Sequence, residues 1–328
     1  MKIILLMIFV LFSSNLFAQK VTLPVFQKNT IQFGDSSNQG SVIVSDKGRI
    51  ISKKVILPVI EKPVQITVRM ILKSAGDRWD RFGSVYLYTP TGNIELLKFM
   101  TGFGVGNKKV PERVNVGPWA DEMECVNDIS ELYPLLKGGV VINAMIDTWV
   151  NPGWEITFEI IYTPNELAKN PDFVIPLINT TGQYPDYKVF DAGGIFDTLD
   201  ITQQFSELKL YYYSSGHGGD SAGDEFNKKE NIISINGSQA FTVIPWRDDC
   251  RIFRRYNPTS SKWEGDIWSS DLSRTGWCPG DMSLPFVYDV NNLFHQGQNT
   301  FNVNVINSER LSETLDYWNI SAYLIGYK

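Results

Sequence analysis

The side chains of this sequence best suited to chemistry are carboxylates set beside tryptophans or glycines, and they occur at three places. The first is Trp79-Asp80-Arg81, an aromatic plate, an acid and a guanidinium just ahead of the run Val85 to Tyr88. The second is Asp147-Thr148-Trp149, after an apolar run and before Asn151-Pro152-Gly153. The third is the glycine-rich stretch Ser214 to Glu225, which carries His217, Asp224 and Glu225. A sugar packs its C–H face on an aromatic ring and offers hydroxyls to carboxylates, so acid beside tryptophan suits carbohydrate recognition. Each place also has a plainer reading: a core tryptophan at position 79, a surface ion pair of Asp80 with Arg81, a solvated turn in the glycine-rich stretch.

Other chemistries lack their parts. The two histidines, His217 and His295, are far apart in sequence, which excludes a histidine-rich metal centre. Three scattered cysteines cannot build a thiolate zinc cage. The acidic residues from Asp220 to Glu225 could meet calcium but lack the ligand spacing of a calcium loop. No glycine-rich phosphate loop precedes a helix, and no G-x-S-x-G elbow is present. No metal is expected, and an enzyme built on this chain would work with carboxylates. The net charge of −6, with Lys and Arg scattered and no basic patch standing out, argues against a nucleic-acid partner.

The elements that must position these residues read as strands. Val64, Ile66, Val68 and Met70 alternate with Gln65, Thr67 and Arg69; Phe301, Val303 and Val305 alternate with Asn302 and Asn304. A period of two predicts strands with one buried face. Further β-rich runs are Val85 to Tyr88, Glu155 to Tyr162, Leu208 to Tyr213 and Tyr317 to Tyr327, punctuated by turn residues such as Asn236-Gly237-Ser238. Helical periodicity is scarce; Ile129 to Leu136 could make one short turn, cut by Pro134. The chain is therefore expected to be all-β, built of sandwiches or jelly rolls. The length fits two domains. A polar stretch with two prolines places the boundary, giving an N-terminal domain over 19–163, a linker over 164–169 and a C-terminal domain over 170–328.

The N-terminus reads as an export signal over residues 1–18. Lys2 is followed by the apolar run Ile3 to Phe12, then Leu16-Phe17-Ala18, a pattern of signal-peptidase cleavage and too short to span a bilayer well. The mature protein is expected to be secreted or periplasmic, with no membrane association. Disulfides persist there. Cys250 and Cys278 flank a loop of Trp, Pro, Gly and Ser, so a bridge between them is expected, with Cys125 a buried thiol; three free thiols remain the alternative.

The three places line up, in order, with active-site segments of the bacterial peptide-N-glycosidase F family. Arg78-Trp79-Asp80-Arg81-Phe82-Gly83-Ser84-Val85-Tyr86 resembles the family's Trp-Asp-Arg segment and following strand, and Lys98-Phe99-Met100-Thr101 its next strand. Ile146-Asp147-Thr148-Trp149 resembles its acid-Thr-Trp motif; Ser215-Gly216-His217 with Asp224-Glu225-Phe226 resembles its Gly-His loop and second-domain glutamate. The most specific match is Ser273-Arg274-Thr275-Gly276-Trp277-Cys278-Pro279-Gly280, in which Cys278 takes the place of a family disulfide cysteine with Cys250 as partner. The resemblance runs from about Val55 to Leu324.

The resemblance implies two adjacent eight-stranded antiparallel jelly-roll sandwiches. It implies hydrolysis of the amide between asparagine and the innermost N-acetylglucosamine of N-glycoproteins or glycopeptides, by a monomer without cofactors. Carried over by position, Asp80 is the principal catalytic acid or base, Glu225 the carboxylate that holds and activates water, and Arg274 the group that holds substrate or polarises the carbonyl. Trp79, Arg81, Asp147, Trp149, His217 and Trp277 fall at substrate-binding positions. The sequence departs from the family pattern at Asp147, where the motif has glutamate, at Ser215, where it has tryptophan, and at Gly104, where an aromatic is lost. These departures keep two other readings open: a non-catalytic glycan- or protein-binding jelly roll, and a hydrolase of another glycosylamine-type amide.

Overall fold

The computed structural model describes residues 20–107, 118–218, 223–310 and 316–328; the expected export signal and residues 219–222 of the glycine-rich stretch lie outside them. Alternation in the sequence becomes alternation in burial. In the strand Val64–Ser74, Val64, Ile66, Val68, Met70 and Leu72 are buried, and Gln65, Thr67, Arg69 and Ile71 stay partly wet. Trp154–Pro164 and Gly297–Val305 follow the same rule. The expected turn at Ile129 to Leu136 is a short 3-10 helix over Ser130–Leu135 with Pro134 inside it.

Two pairs of antiparallel sheets result. In the N-terminal half, one sheet has the order Val21–Ile31, Trp154–Pro164, Val64–Ser74, Met123–Asp128. It packs on a sheet that includes Gly92–Met100, Phe82–Thr89, Gly138–Ile146, Ile50–Leu57 and Ile43–Ser45, in that order. In the C-terminal half, Phe173–Asn179, Tyr317–Tyr327, Glu207–His217 and Phe286–Asp289 form one sheet; Ile195–Ile201, Gly297–Val305, Asn231–Ile235 and Ser238–Val243 form the other. Among the described residues the C-terminal sandwich thus has eight strands, and the N-terminal one has nine of its own, counting the three-residue Ile43–Ser45.

The halves do not merely touch. The strand Asp281–Ser283, from the C-terminal half, pairs antiparallel with Gly92–Met100 and extends the N-terminal sheet. Three strands at this seam are buried on both faces: Phe82–Thr89, Gly92–Met100 and Tyr317–Tyr327. Their second face cannot all be apolar, because it meets polar neighbours. Ser321 donates to Glu95 at 2.8 Å, Ser84 donates to the other Glu95 oxygen at 2.5 Å, and Lys98 Nζ donates to the Asn319 carbonyl at 3.0 Å. Burial without charge-stabilising water pushes Lys98 down to about 8. Gly83 is required by packing here, since a Cβ would lie 2.3 Å from the Phe99 ring.

Cys250 and Cys278 are disulfide-bonded, and Cys125 is a buried free thiol. The bridge ties the 3-10 segment Cys250–Tyr256 to the chain leading into Asp281–Ser283. It closes a separation of 28 residues, so replacing both cysteines by serine is expected to lower stability by about 3 kcal/mol through the entropy returned to the unfolded chain. Urea unfolding of the Cys250→Ser/Cys278→Ser protein beside the native one checks this.

Candidate active site

Where the sandwiches meet, the ends of three strands and two loops bring the catalytic and substrate-binding residues named from the sequence into one cleft, while Asp224 is buried away from it, accepting from Ser308 Oγ, the Glu309 amide and Trp318 Nε1. Trp79, Asp80 and Arg81 precede the strand Phe82–Thr89. Asp147 follows Gly138–Ile146, its amide donating to the Phe82 carbonyl at 2.9 Å. His217 ends Glu207–His217, Glu225 follows in the next loop, and Arg274 lies on a segment that pairs with Arg247. The bend after Arg274 needs Gly276: its φ is +82°, and a Cβ would come within 2.2 Å of the Ser214 carbonyl.

The centre of the cleft is a buried arginine between two carboxylates. The Arg274 side chain is 1 % exposed, those of Asp80 and Glu225 17 % and 13 %. Arg274 Nε donates to Glu225 Oε1 at 2.9 Å, and Nη1 donates to the Leu272 carbonyl at 2.9 Å. Nη2 is the least engaged, 4.0 Å from Asp80 Oδ2 and 3.5 Å from Ser269 Oγ. The guanidinium lies 4.9 Å from the Trp277 ring centre and 5.1 Å from that of Phe226, which supports a cation with little hydration.

The cleft runs in two directions from this centre. One arm, of about 240 Å³, is lined by Asp80, Arg81, Asp147, Trp149, His217, Glu225, Trp277 and Tyr317 among others. The other, of about 510 Å³, is lined by Trp79, Asp80, Glu225, Arg274 and a set of aromatic residues. Asp80, Gly218 and Glu225 belong to both.

The walls of the smaller arm are fixed by residues the sequence reading did not single out. Asp77 is fully buried and receives hydrogen bonds from Arg81 Nε at 2.8 Å, Thr148 Oγ1 at 2.7 Å, Trp154 Nε1 at 3.3 Å and the Trp79 amide at 3.1 Å. One carboxylate thus sets Arg81 and the backbone before Asp80. Asp147 is held by Arg49 Nη1 at 2.9 Å and the Tyr184 hydroxyl at 2.9 Å, both on Oδ1. Arg49 also lies over Trp149, 4.6 Å from its ring. His217 is stacked between Trp277 and Tyr317 at 5.5 and 4.8 Å. Burial, aided by the Lys98 charge, lowers its pKa to about 3, so it is neutral. Ser215, at the position of a family tryptophan, meets His217 Nε2 at 2.9 Å. Gly104 has φ +61° and Thr259 against it, leaving no room for a side chain; its neighbour Phe103 lines the larger arm.

Electrostatics at the centre are dominated by desolvation. Burial pushes Asp80 up to about 6, against the pull of Arg274 and Arg81. Burial likewise pushes Glu225 up to about 7, Arg274 opposing and Asp80 adding to the rise. In the unfolded chain both carboxyls lose their protons near 3.8 and 4.5. The folded chain therefore holds more protons across that window, and stability falls as pH rises from about 4 to about 7. Glu225→Gln, which cannot ionise, is expected to be more stable than the native chain above pH 7, by on the order of 2 kcal/mol, with the advantage vanishing toward pH 4. Urea titrations across that range read the sign directly.

A family model described as "Peptide-N-glycosidase F, N terminal" matches residues 22–92 and 88–162, and one described as "Peptide-N-glycosidase F, C terminal" matches residues 184–325. A solved structure of PNGF-II is similar at 31% identity and a TM-score of 0.88, over 94% of this chain and 65% of that one. This chain thus spans a little under two thirds of that relative. Recombinant peptide:N-glycanase F matches at 20% identity and a TM-score of 0.70, over 94% and 96% of the two chains. PNGase F from Flavobacterium meningosepticum, described as a glycosylasparaginase, matches at 20% identity and 0.68 over the same shares. These last two establish the two-domain all-β fold. A comparison with curated proteins finds no match. Among the described residues no helix is long and apolar enough to cross a membrane.

Proposed function

The chain belongs to the peptide-N-glycosidase F family, and on that footing we propose that it hydrolyses the amide between asparagine and the innermost N-acetylglucosamine of N-glycoproteins or glycopeptides. The products are an aspartate side chain and a glycan released as a glycosylamine. The observation that carries this reading is Arg274, buried and set between Asp80 and Glu225 where two arms of one cleft meet.

Amide hydrolysis asks for an activated water, stabilisation of charge on the carbonyl oxygen and a proton for the departing nitrogen. Glu225, its Oε1 fixed by Arg274, accepts the proton of a water that adds to the side-chain carbonyl carbon. Arg274 Nη2, the least committed donor, faces the developing oxyanion. The two carboxyls, both with raised pKa values, share one proton near neutrality, and in the reactive arrangement Asp80 carries it and gives it to the nitrogen as the C–N bond breaks. The pair ends with one proton, as it began. Because the two acids cannot both ionise cheaply beside each other, the shared-proton state is the favoured one. In the smaller arm, the exposed Trp149 gives the sugar a flat face, the buried stack of Trp277, His217 and Tyr317 forms a wall, and Arg81 and Asp147 Oδ2 take its hydroxyls. The separation of the acid from Glu225 does not set a stereochemical outcome, because the bond broken is an amide and not a glycosidic bond.

The test is direct. The purified protein is incubated with an N-glycopeptide, and conversion of the linkage asparagine to aspartate is followed by mass. Absence of conversion across several glycan types, by folded protein, sinks the reading. A second reading, glycan binding without turnover, draws on Asp147, whose Oδ1 is already taken by Arg49 and Tyr184. It requires glycan binding in both the native and the Asp80→Asn protein and turnover in neither.

A further inference from the structure

From the shape and lining of the larger arm we infer that it is a subsite for the polypeptide beside the glycosylated asparagine, selective for aromatic or apolar flanking side chains on an extended segment. The inference takes its ligand's identity from the amidase reading and goes beyond it in assigning the second arm.

An amide has two substituents. With the reacting carbonyl at Asp80 and Glu225, the sugar must leave the centre by one arm and the peptide by the other, since these residues line both. The two arms differ in chemistry. The smaller one carries acids, an arginine and stacked rings, which match a ring bearing many hydroxyls. The larger one has Trp79, Phe103, Phe226, Trp246, Trp263 and Leu272 for walls, with only Ser269, Ser273 and Arg274 as polar lining besides the shared acids. A sugar placed there would leave most hydroxyls without partners, at a cost for each one desolvated. A peptide seats its apolar side chains there and keeps its backbone polar groups toward water.

The rim supports the same occupant. Trp79 and Trp263 are 48 % and 60 % exposed, an arrangement that is costly in water unless something covers it. Arg78 lies over Trp79 at 5.6 Å and Lys228 over Trp246 at 5.2 Å, so the mouth is cationic as well as aromatic. Trp263 sits on the hairpin Lys262–Glu264 with Ile267–Trp268. The root of that hairpin is pinned by Asp271, which accepts from Arg254 Nε at 2.7 Å and from the Trp268 amide at 2.7 Å. Removing the Trp263 ring therefore leaves the hairpin anchored and the distant sugar arm undisturbed.

The two arms are read separately by titration calorimetry with two probes, neither of which needs turnover. One is free N,N′-diacetylchitobiose. The other is a sugar-free peptide with the asparagine flanked by Phe and Leu, set beside a Gly-flanked version. The native protein is expected to bind the apolar peptide about tenfold tighter than the Gly-flanked one. Trp263→Ala should abolish most of that difference, Trp263→Phe should keep it, and both should bind chitobiose as the native protein does. Chitobiose weakened by Trp263→Ala with peptide binding unchanged would assign the arm to the glycan and overturn the inference. Loss of peptide discrimination in none of the variants, or no measurable peptide binding, also overturns it. Failure of the amidase reading shows itself elsewhere, as absent Asn-to-Asp conversion.

Discussion

Asp80→Asn is expected to lower amide hydrolysis by about 1,000-fold while leaving glycan affinity within a few-fold of native. The substitution is nearly isosteric, so the contact toward Arg274 and the backbone set by Asp77 both survive. What is lost is a titrating oxygen. An amide cannot hold a proton at neutrality and release it to a departing nitrogen, and without that proton the glycosylamine leaves as a very poor anion. The expected loss is the usual worth of a positioned general acid. A second readout separates this from a general disturbance of the cleft. The Asp80 charge is one cause of the raised Glu225 pKa, so in Asp80→Asn the remaining carboxyl should titrate lower than in the native protein. Residual activity within tenfold of native would remove Asp80 from the chemistry and move the proton to another group.

Legibility of the molecule in its sequence followed how local each cause was. Period-two runs such as Val64 to Met70 reported their strands because one face is core and the other water. Strands at the seam gave a weaker signal, since Glu95, Lys98 and Ser321 face a partner sheet whose presence no local pattern records. Asp80, Glu225 and Arg274 stood out by neighbours and by family resemblance, and the fold brings them together. The residues that hold them did not. Asp77 is three positions from Asp80 and could have been noticed as a second acid in the same turn. Arg49 is 98 residues from Asp147, and nothing near it in sequence hints at that pair. Trp246 and Trp263 lie on segments without a motif, so only the cleft shows that they share a wall with Trp79.

Arg274→Met should combine the two largest losses available to this site, and their pH dependence tells them apart. Methionine fills similar space and packs against Trp277 and Phe226 as the guanidinium does. It removes the only counter-charge in contact with Glu225 among the described residues, and the charge nearest Asp80 from the C-terminal half. Breaking a buried pair by deleting one partner leaves an uncompensated charge, costing about 3–5 kcal/mol. Arg274 lowers both pKa values in the native protein, so in its absence both carboxyls rise further and stay protonated to higher pH. The stability penalty should therefore be full only above the further-raised pKa values of the variant and fade as pH falls below the native ones, about 6 and about 7. Activity should not recover with it. Loss of the donor facing the carbonyl oxygen is worth about 100- to 1,000-fold on its own, and protonated Glu225 cannot accept a proton from water. Arg274→Lys tests geometry against charge: an ammonium retains the positive charge but cannot reach Glu225, Leu272 and the oxyanion position in one plane. It is expected to recover most of the stability and little of the rate. Full recovery of rate by lysine would show that charge alone suffices, and that the planar fork of Arg274 has no part in holding the carbonyl.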